Sequence, residues 1–179
     1  MLPLSLQNCT TRDVDILRAL SIKTYYDTFA AMCADSDMDT YLEEAYDRSK
    51  LLKELEDTNT QFFFLYANKE LCGYLKLNEA PSQTDINDSL SLEIERIYIS
   101  ADFQGKGLGK YLMEQAVHIA SERDKQYVWL GVWERNEKAL RFYINNGFYA
   151  VGTHSFIMGD DKQTDYIMRK DLANSNLIN

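Results

Sequence analysis

The chain has 179 residues, of which 45% are hydrophobic and 26% charged, proportions typical of a soluble globular protein that is long enough to bury a full core. Its net charge of −9 disfavours nucleic acid as the main partner, because phosphate binding needs clustered lysine and arginine. We expect a single domain over residues 1–179, with a loose tail from about residue 170 onward.

The cysteines and the apolar segments limit the cell compartment and the cofactors. Cys9, Cys33 and Cys72 are far apart and odd in number, which predicts small buried side chains and neither a disulfide framework nor a metal cluster. The first residues lack a basic region followed by an apolar run, and no segment approaches the length of a membrane span. We therefore expect a cytoplasmic protein with no metal and no membrane partner.

The first half of the chain predicts three helices and a hairpin. Residues 4–9 fit a strand, and Thr10 opens a helix that continues towards residue 31. Two shorter helices are expected at 38–46 and 48–55. The run 61–67 is rich in phenylalanine and predicts a strand, with its hairpin partner at 71–77. Residues 79–89 are polar and contain Pro81, which indicates a loop.

In the second half, strands and helices alternate. A strand at 92–99, a glycine-rich turn and a helix from Leu108 follow one another directly. A strand at 127–132 comes next, then a helix from Asn136 to about Gly147, and strands at 148–156 and 165–169. This order predicts an α/β or α+β sandwich with a mixed sheet.

The turn Gln104-Gly105-Lys106-Gly107-Leu108-Gly109 carries the strongest chemical signal. Glycine at alternate positions lets the backbone approach a ligand and adopt positive φ. The N–H groups of the following helix then point at an anion, helped by the helix dipole. Two other phosphate loops are excluded, because Lys110 precedes Tyr111 rather than Ser or Thr, and the glycine spacing differs from the dinucleotide fingerprint. A plain turn is the alternative.

A second motif starts at Asn136. Ala139, Phe142 and Tyr143 are spaced i, i+3, i+4 and share one helix face. Structural roles also fit these residues, since Asn136 suits an N-cap, Tyr143 a core position and Gly147 a C-terminal cap.

The two motifs together resemble a known family. Residues 97–109, with the pattern Gln-x-x-Gly-x-Gly, are similar to the acetyl-CoA loop of the GNAT N-acetyltransferases, and Asn136-x-x-Ala-x-x-Phe-Tyr-x-x-x-Gly-Phe resembles their second motif. Segments 75–78, 82–84, 129–134, 152–160 and 163–168 resemble the PaiA-like branch, which is associated with acetylation of spermidine and spermine. The resemblance implies a mostly antiparallel mixed sheet flanked by helices, with splayed strands that form the acetyl-CoA cleft.

The resemblance also implies acetyl-CoA as cosubstrate. Its pyrophosphate is expected on the main-chain amides of residues 104–110, and its pantetheine arm is expected to pair with the strand around residues 97–99, where Asn136 contacts it. The implied cofactor-binding residues are Ile97, Tyr98, Ile99, Gln104, Gly105, Lys106, Gly107, Leu108, Gly109, Lys110, Asn136, Lys138 and Tyr143.

Acetyl transfer to an amine needs a base, a stabilised oxyanion and a proton for the leaving thiolate. Because a phenol can protonate a thiolate, we predict Tyr143 as the general acid, and a main-chain N–H of strand 97–99 as the group that stabilises the oxyanion. By the family's pattern Glu95 is the base, acting through water. Glu93, His154 and water are the other candidates for the base. On a regular strand Glu93 and Glu95 face the same way as Ile97 and Ile99, although plain surface charge also explains both carboxylates.

Three functions are compatible with these residues. The first is transfer of acetyl to a small amine, most simply a polyamine, for which the negative charge of the chain is suitable. The second is acetylation of a protein N-terminus or lysine. The third is a CoA-binding regulatory module with little catalysis. The family also implies a possible homodimer through edge strands or the C-terminal hairpin. The apolar residues of 148–158 suit such an interface and equally suit the core.

Overall fold

The structure is a computed structural model that describes residues 3–30, 35–158 and 161–173. It confirms a mixed sheet flanked by helices. Seven strands are ordered β1-β2-β3-β4-β5-β7-β6, with β4 and β5 parallel and the β1–β2, β5–β7 and β6–β7 pairs antiparallel. The elements in chain order are β1 (Leu4–Asn8), α1 (Val14–Phe29), α2 (Asp35–Ala45), α3 (Arg48–Glu56), β2 (Thr60–Ala67), β3 (Glu70–Asn78), β4 (Ser91–Ile99), α4 (Leu108–Glu122), β5 (Tyr127–Trp133), α5 (Glu137–Asn145), β6 (Tyr149–Met158) and β7 (Asp161–Asp171).

The chain divides into two compact units. One comprises Met1–Leu77 with Arg96–Leu112, and the other comprises Asn78–Glu95 with Met113–Asn179. We call them the first and second unit. Strand β4 and helix α4 each contribute residues to both. That the whole chain is one domain stays a prediction.

Local sequence signals explain the elements of the first unit. The Thr10 side chain and Asp13 form a capping box ahead of α1. Strands β2 and β3 are joined at Asn68 and Lys69, whose φ angles of 53° and 69° are those of a tight two-residue hairpin turn. The core of this unit is rich in aromatic residues, and the rings of Tyr74 on β3 and Tyr98 on β4 stack with their centroids 5.7 Å apart.

In the second unit, strand β5 lies between β4 and β7. The parallel ladder with β4 comprises Ser91↔Tyr127, Leu92↔Val128 and Glu93↔Trp129. The loop 79–89 is attached to the end of α4 by Glu79, which pairs with Arg123 at 2.6 Å and with Lys125 at 2.5 Å. These ion pairs hold the polar loop beside the C-terminal end of α4.

Strand β7 is longer than predicted. It runs from Asp161 to Asp171, because hairpin pairing with β6 extends from Tyr149↔Arg169 to Met158↔Asp161. Its first residues are polar, so their sequence gives no strand pattern. Of the tail expected to be loose from about residue 170, Lys170 and Asp171 belong to β7, and the N–H of Leu172 donates to the carbonyl of Gln126 at 2.8 Å. Residues 174–179 lie outside the described residues.

The cysteine, membrane and dimer expectations have separate outcomes. Cys9 and Cys72 are buried as predicted, and Cys33 lies outside the described residues. Within the described ranges, no helix has both the length and the apolar character needed to cross a bilayer. Tyr149 and Val151 on β6 are each 48% exposed, whereas the side chains of residues 156–158 are outside the described part, so the homodimer stays a prediction.

Candidate active site

The glycine turn is built as the sequence predicts, with one correction. After β4, a single 3-10 turn at Ala101–Phe103 leads into the glycines, and α4 begins at Leu108. Gly105 and Gly107 have φ angles of 75° and 79°, the left-handed region that glycine adopts without strain. Gly109 does not share this conformation, because it already lies in the first turn of α4.

The turn is held in shape by its own side chains. Gln104 Nε2 donates to the carbonyl of Ile99 at 3.1 Å, and Lys106 Nζ donates to the carbonyl of Asp102 at 2.9 Å. A Cβ added at Gly105 or Gly107 would meet no other atom within 4 Å. The backbone of this turn is therefore fixed and reachable, and α4 adds first-turn N–H groups that lack partners within the helix.

Strand residues 97–99 offer main chain rather than side chains. Tyr98 packs its ring against the core of the first unit, and the N–H of Ser100 donates to the carbonyl of Cys72 at 2.9 Å. The strands approach so closely here that a Cβ at Gly73 would lie 2.4 Å from the carbonyl oxygen of Tyr98. The hydrogen-bonding groups of β4 that face β3 are thus occupied by that strand.

Two carboxylates in the second unit share one amide. Asn78 Nδ2 donates to Glu93 Oε2 at 2.8 Å and to Glu95 Oε2 at 2.6 Å. Glu93 also accepts from the backbone N–H of Thr84 at 3.0 Å and from its hydroxyl. Asn78 and Glu93 are each 1% exposed, whereas Glu95 is partly exposed. Glu95 is therefore the member of the pair that solvent or a substrate can reach.

The buried carboxylate has a shifted proton affinity. Burial raises the pKa of Glu93 above its ordinary value. The hydrogen bonds from Thr84 and Asn78 oppose this shift, and the nearby charge of Glu95 adds to it. Glu93 is buried and held by hydrogen bonds, whereas Glu95 is partly exposed. This difference favours Glu95 over Glu93 as the candidate base.

The first unit holds a cluster of charged side chains. Lys76 and Arg96 both approach Glu54 Oε2, at 3.0 and 3.6 Å.

That Glu93 and Glu95 face the same way as Ile97 and Ile99 stays a prediction, because the glutamates belong to the second unit and the isoleucines to the first.

Helix α5 positions the second motif. Asn136 Oδ1 caps the helix by accepting from the N–H of Ala139 at 3.1 Å. Tyr143 is 9% exposed, and its ring centroid lies 5.4 Å from that of Phe142 and 5.9 Å from that of Phe148. Burial raises the pKa of the Tyr143 phenol. The hydroxyl is therefore protonated at neutral pH, as a proton donor must be.

His154 lies in an acidic environment. Its Nδ1 is 2.7 Å from Asp85 Oδ1. In the ladder between β6 and β7, His154 lies opposite Asp165. Burial raises the pKa of the Asp165 carboxyl to about 6, an effect that His154 opposes and that Asp85 and Glu134 reinforce. The contact with Asp85 gives His154 a structural partner, which the sequence did not reveal.

The predicted residues are distributed over both units. Gln104, Gly105, Lys106, Gly107, Leu108, Gly109 and Lys110 belong to the first unit together with Ile97, Tyr98 and Ile99; Glu95, Asn136, Lys138 and Tyr143 belong to the second. Lys106, Lys110 and Lys138 are exposed. Sequence reasoning overlooked Asn78 and Thr84, and the only signal for them was a pair of polar residues in segments quoted for the PaiA-like branch.

This sheet order, with a glycine turn between β4 and α4, defines an acyltransferase-type α/β domain, and comparison with known proteins specifies it further. Residues 22–148 match the acetyltransferase (GNAT) family. An uncharacterized N-acetyltransferase of Lactobacillus delbrueckii subsp. lactis is 40% identical over 162 residues, which cover 90% of this chain and 94% of the relative. The chain therefore belongs to the GNAT family and is an acetyl-CoA-dependent N-acetyltransferase.

Two more distant matches, one in sequence and one in structure, come from Thermoplasma acidophilum. A protein named spermidine N(1)-acetyltransferase is 23% identical over 171 residues, covering 93% of this chain and 96% of its own length. The crystal structure of the PaiA N-acetyltransferase in complex with coenzyme A superimposes with a TM-score of 0.79 at 22% identity, covering 96% of this chain and 100% of that one. The predicted family and fold are confirmed.

Proposed function

We propose that this N-acetyltransferase acetylates a primary amine of a polyamine such as spermidine or spermine, by direct attack of the amine on acetyl-CoA in a ternary complex. The observation that carries the proposal is the carboxylate pair Glu93 and Glu95, bridged by Asn78. An alkylammonium with a pKa of about 10 must lose a proton before it attacks, and a reachable carboxylate beside a buried one both attracts the cation and accepts that proton.

Two further facts support a polycationic acceptor. The chain carries a net charge of −9, which attracts cations over distances longer than one contact. The Thermoplasma relative that covers nearly the whole chain is named as a spermidine acetyltransferase. A peptide acceptor does not have to carry two spaced ammonium groups, so the negative charge of the chain attracts it less than it attracts a polyamine.

For the cofactor, we assign the pyrophosphate of acetyl-CoA to the main-chain amides of residues 104–110. The fixed turn and the dipole of α4 make this an anion site without requiring a side-chain charge. Lys106 is assigned mainly to holding the turn, because its ammonium group is bonded to the carbonyl of Asp102. The pantetheine arm is assigned to the main chain of residues 97–99 and to the amide nitrogen of Asn136, whose oxygen caps α5.

For the chemistry, we assign proton donation to the leaving thiolate to Tyr143 and proton removal from the amine, through a water molecule, to Glu95. A main-chain N–H of residues 97–99 stabilises the oxyanion. The protonated state of the buried Tyr143 phenol and the partial exposure of Glu95 agree with these two roles.

The acceptor is tested by measuring free-thiol release from acetyl-CoA with spermidine, spermine, putrescine, lysine and short peptides. We expect the highest kcat/KM for spermidine and spermine, and a fall with rising salt because the attraction is electrostatic. Turnover on peptides alone would refute the polyamine assignment and favour a protein acceptor.

The base is tested by a pH–rate profile of Glu95→Gln with the best acceptor. The acidic limb of kcat/KM, where the rate rises as the base loses its proton, should disappear. Glu44→Gln is the matched control, since it removes the same charge at an exposed position on α2. If Glu95→Gln keeps the wild-type limb, another group is the base.

A further inference from the structure

The amide of Asn78 has an unusual set of partners. Its Nδ2 donates to two carboxylate oxygens, one from Glu93 and one from Glu95. Carboxylates are acceptors, so the nitrogen rather than the oxygen of the side chain must face them. The orientation of the Asn78 amide is therefore determined by its two carboxylate partners, and its nitrogen holds one oxygen of each of them.

The second link is the attachment of Glu93. Its carboxylate is buried opposite Trp129 in the parallel ladder, where it accepts the backbone N–H and the hydroxyl of Thr84. Glu93 is therefore fixed from the loop and in turn fixes Asn78. The chain of bonds runs from Thr84 through Glu93 and Asn78 to Glu95, which alone of these four is predicted to act on the substrate.

We propose that Asn78 is a positioning residue of the acetyl-transfer site, which holds one oxygen of the Glu95 carboxylate while Glu93, anchored by Thr84, holds Asn78. This inference rests on the proposed role of Glu95 as base. A glutamate side chain has three rotatable torsions, and a single charge-assisted hydrogen bond of 2.6 Å removes much of that freedom. The second carboxylate oxygen is then presented in a constant direction.

Glu95 has charged residues beside it along β4, and the loop 79–89 and β5 contribute further side chains to the second unit. The charged residues along β4 are Glu93 and Arg96, and Arg96 is engaged with Glu54. The loop 79–89 contributes Asp85, which is paired with His154, and β5 presents the uncharged Trp129 opposite Glu93. Asn78 supplies a hydrogen bond that favours the charged form of Glu95, whereas Glu93 opposes that form when it is ionised.

Removal of the amide therefore has a kinetic signature. In Asn78→Ala, kcat should fall about tenfold, because the base is no longer held, while KM for acetyl-CoA stays within about twofold. The acidic limb of kcat/KM should move to higher pH by about half a unit to one unit, since a hydrogen bond to the carboxylate anion is lost. Asn78→Leu keeps the side-chain volume but has no donor, and it should show the same changes. This variant tests the proposal if Asn78→Ala does not fold.

The control is Gln83→Ala. Gln83 fastens the same loop by bonds to Ser91, to Asp88 and to the backbone carbonyl of Asn78, but it touches neither carboxylate. A loss of stability without any movement of the acidic limb is expected in this variant. If Gln83→Ala moves the limb as far as Asn78→Ala does, the effect belongs to the loop and the proposal is overturned.

Failure of this inference is distinguishable from failure of the proposed function. If Glu95→Gln abolishes the acidic limb and both Asn78 variants leave kcat and the limb at wild-type values, Glu95 is the base and Asn78 does not position it. If Glu95→Gln itself keeps the limb, the assignment of the base is wrong, and this inference fails with it.

Discussion

The substitution Asp165→Asn tests whether the charged form of one buried carboxylate in the second unit destabilises the folded state. Asp165 lies on β7, opposite Trp133 on β5 and His154 on β6. Its Oδ1 atom is enclosed, and within the described residues no hydrogen-bond donor reaches it. Burial raises the pKa of this carboxyl from an ordinary 3.8 to about 6, reduced by His154 and reinforced by Asp85. The charged form is therefore unfavourable in the folded state.

The direction of the effect follows from proton linkage. The folded state holds the Asp165 proton more tightly than the unfolded chain does, so this group stabilises the fold below pH 3.8 and loses that contribution as the pH rises through about 6. A shift of roughly two units corresponds to an upper limit of about 3 kcal/mol. Because solvent reaches part of the side chain, we expect about 1 to 2 kcal/mol.

The neutral side chain of Asp165→Asn should therefore raise the free energy of unfolding by about 1 to 2 kcal/mol at about pH 8, with the advantage shrinking below about pH 6. Urea denaturation at several pH values measures it. Glu44→Gln controls for the lower net charge, since it makes the same change at an exposed site. An advantage for Asp165→Asn that is equal at about pH 5 and about pH 8, or matched by the control, would refute the reasoning.

Two predictions concern the cofactor and the general acid. Gly107→Ala places a side chain at a φ of 79°, which costs about 1 to 2 kcal/mol, so calorimetry should show acetyl-CoA binding weakened by about tenfold. Gly152→Ala, whose Cβ makes only an ordinary contact at 3.9 Å, should bind normally; equal affinities of the two variants would contradict the turn assignment. In Tyr143→Phe, kcat should fall by about a hundredfold with acetyl-CoA affinity near wild type. Tyr127→Phe removes a hydroxyl bonded to Asp88 instead, and a Tyr143→Phe enzyme as active as this control would exclude the role.

Much of the fold could be predicted because the signals are local. The hairpin at Asn68, the cap at Thr10 and the helix between Asn136 and Gly147 each depend on residues within a few positions of one another. Strand β7 could not be predicted at full length, because its polar first half is a strand only through its pairing with β6. Propensity loses to tertiary pairing in such a segment.

The residues of the candidate site likewise divide into those that could be predicted from the sequence and those that could not. The glycine turn could be predicted because the positive φ angles at Gly105 and Gly107 favour glycine, so the residue type itself indicates the conformation. Asn78 and Thr84 were missed because their importance comes from contacts with Glu93, which is distant along the chain. No spacing rule links an asparagine at the end of one strand to two glutamates on the next.

Strand β4 contributes to the candidate site in two ways. Its first half contributes the side chains of Glu93 and Glu95, and its second half leads into the turn whose main chain we assign to the cofactor. A main-chain site tolerates most substitutions that keep the backbone conformation, whereas a carboxylate held by one amide does not. We therefore expect relatives that differ in acceptor to differ around Asn78 and Glu93 before they differ in the glycine turn, and an alignment of enzymes with known acceptors would contradict this if the turn varied first.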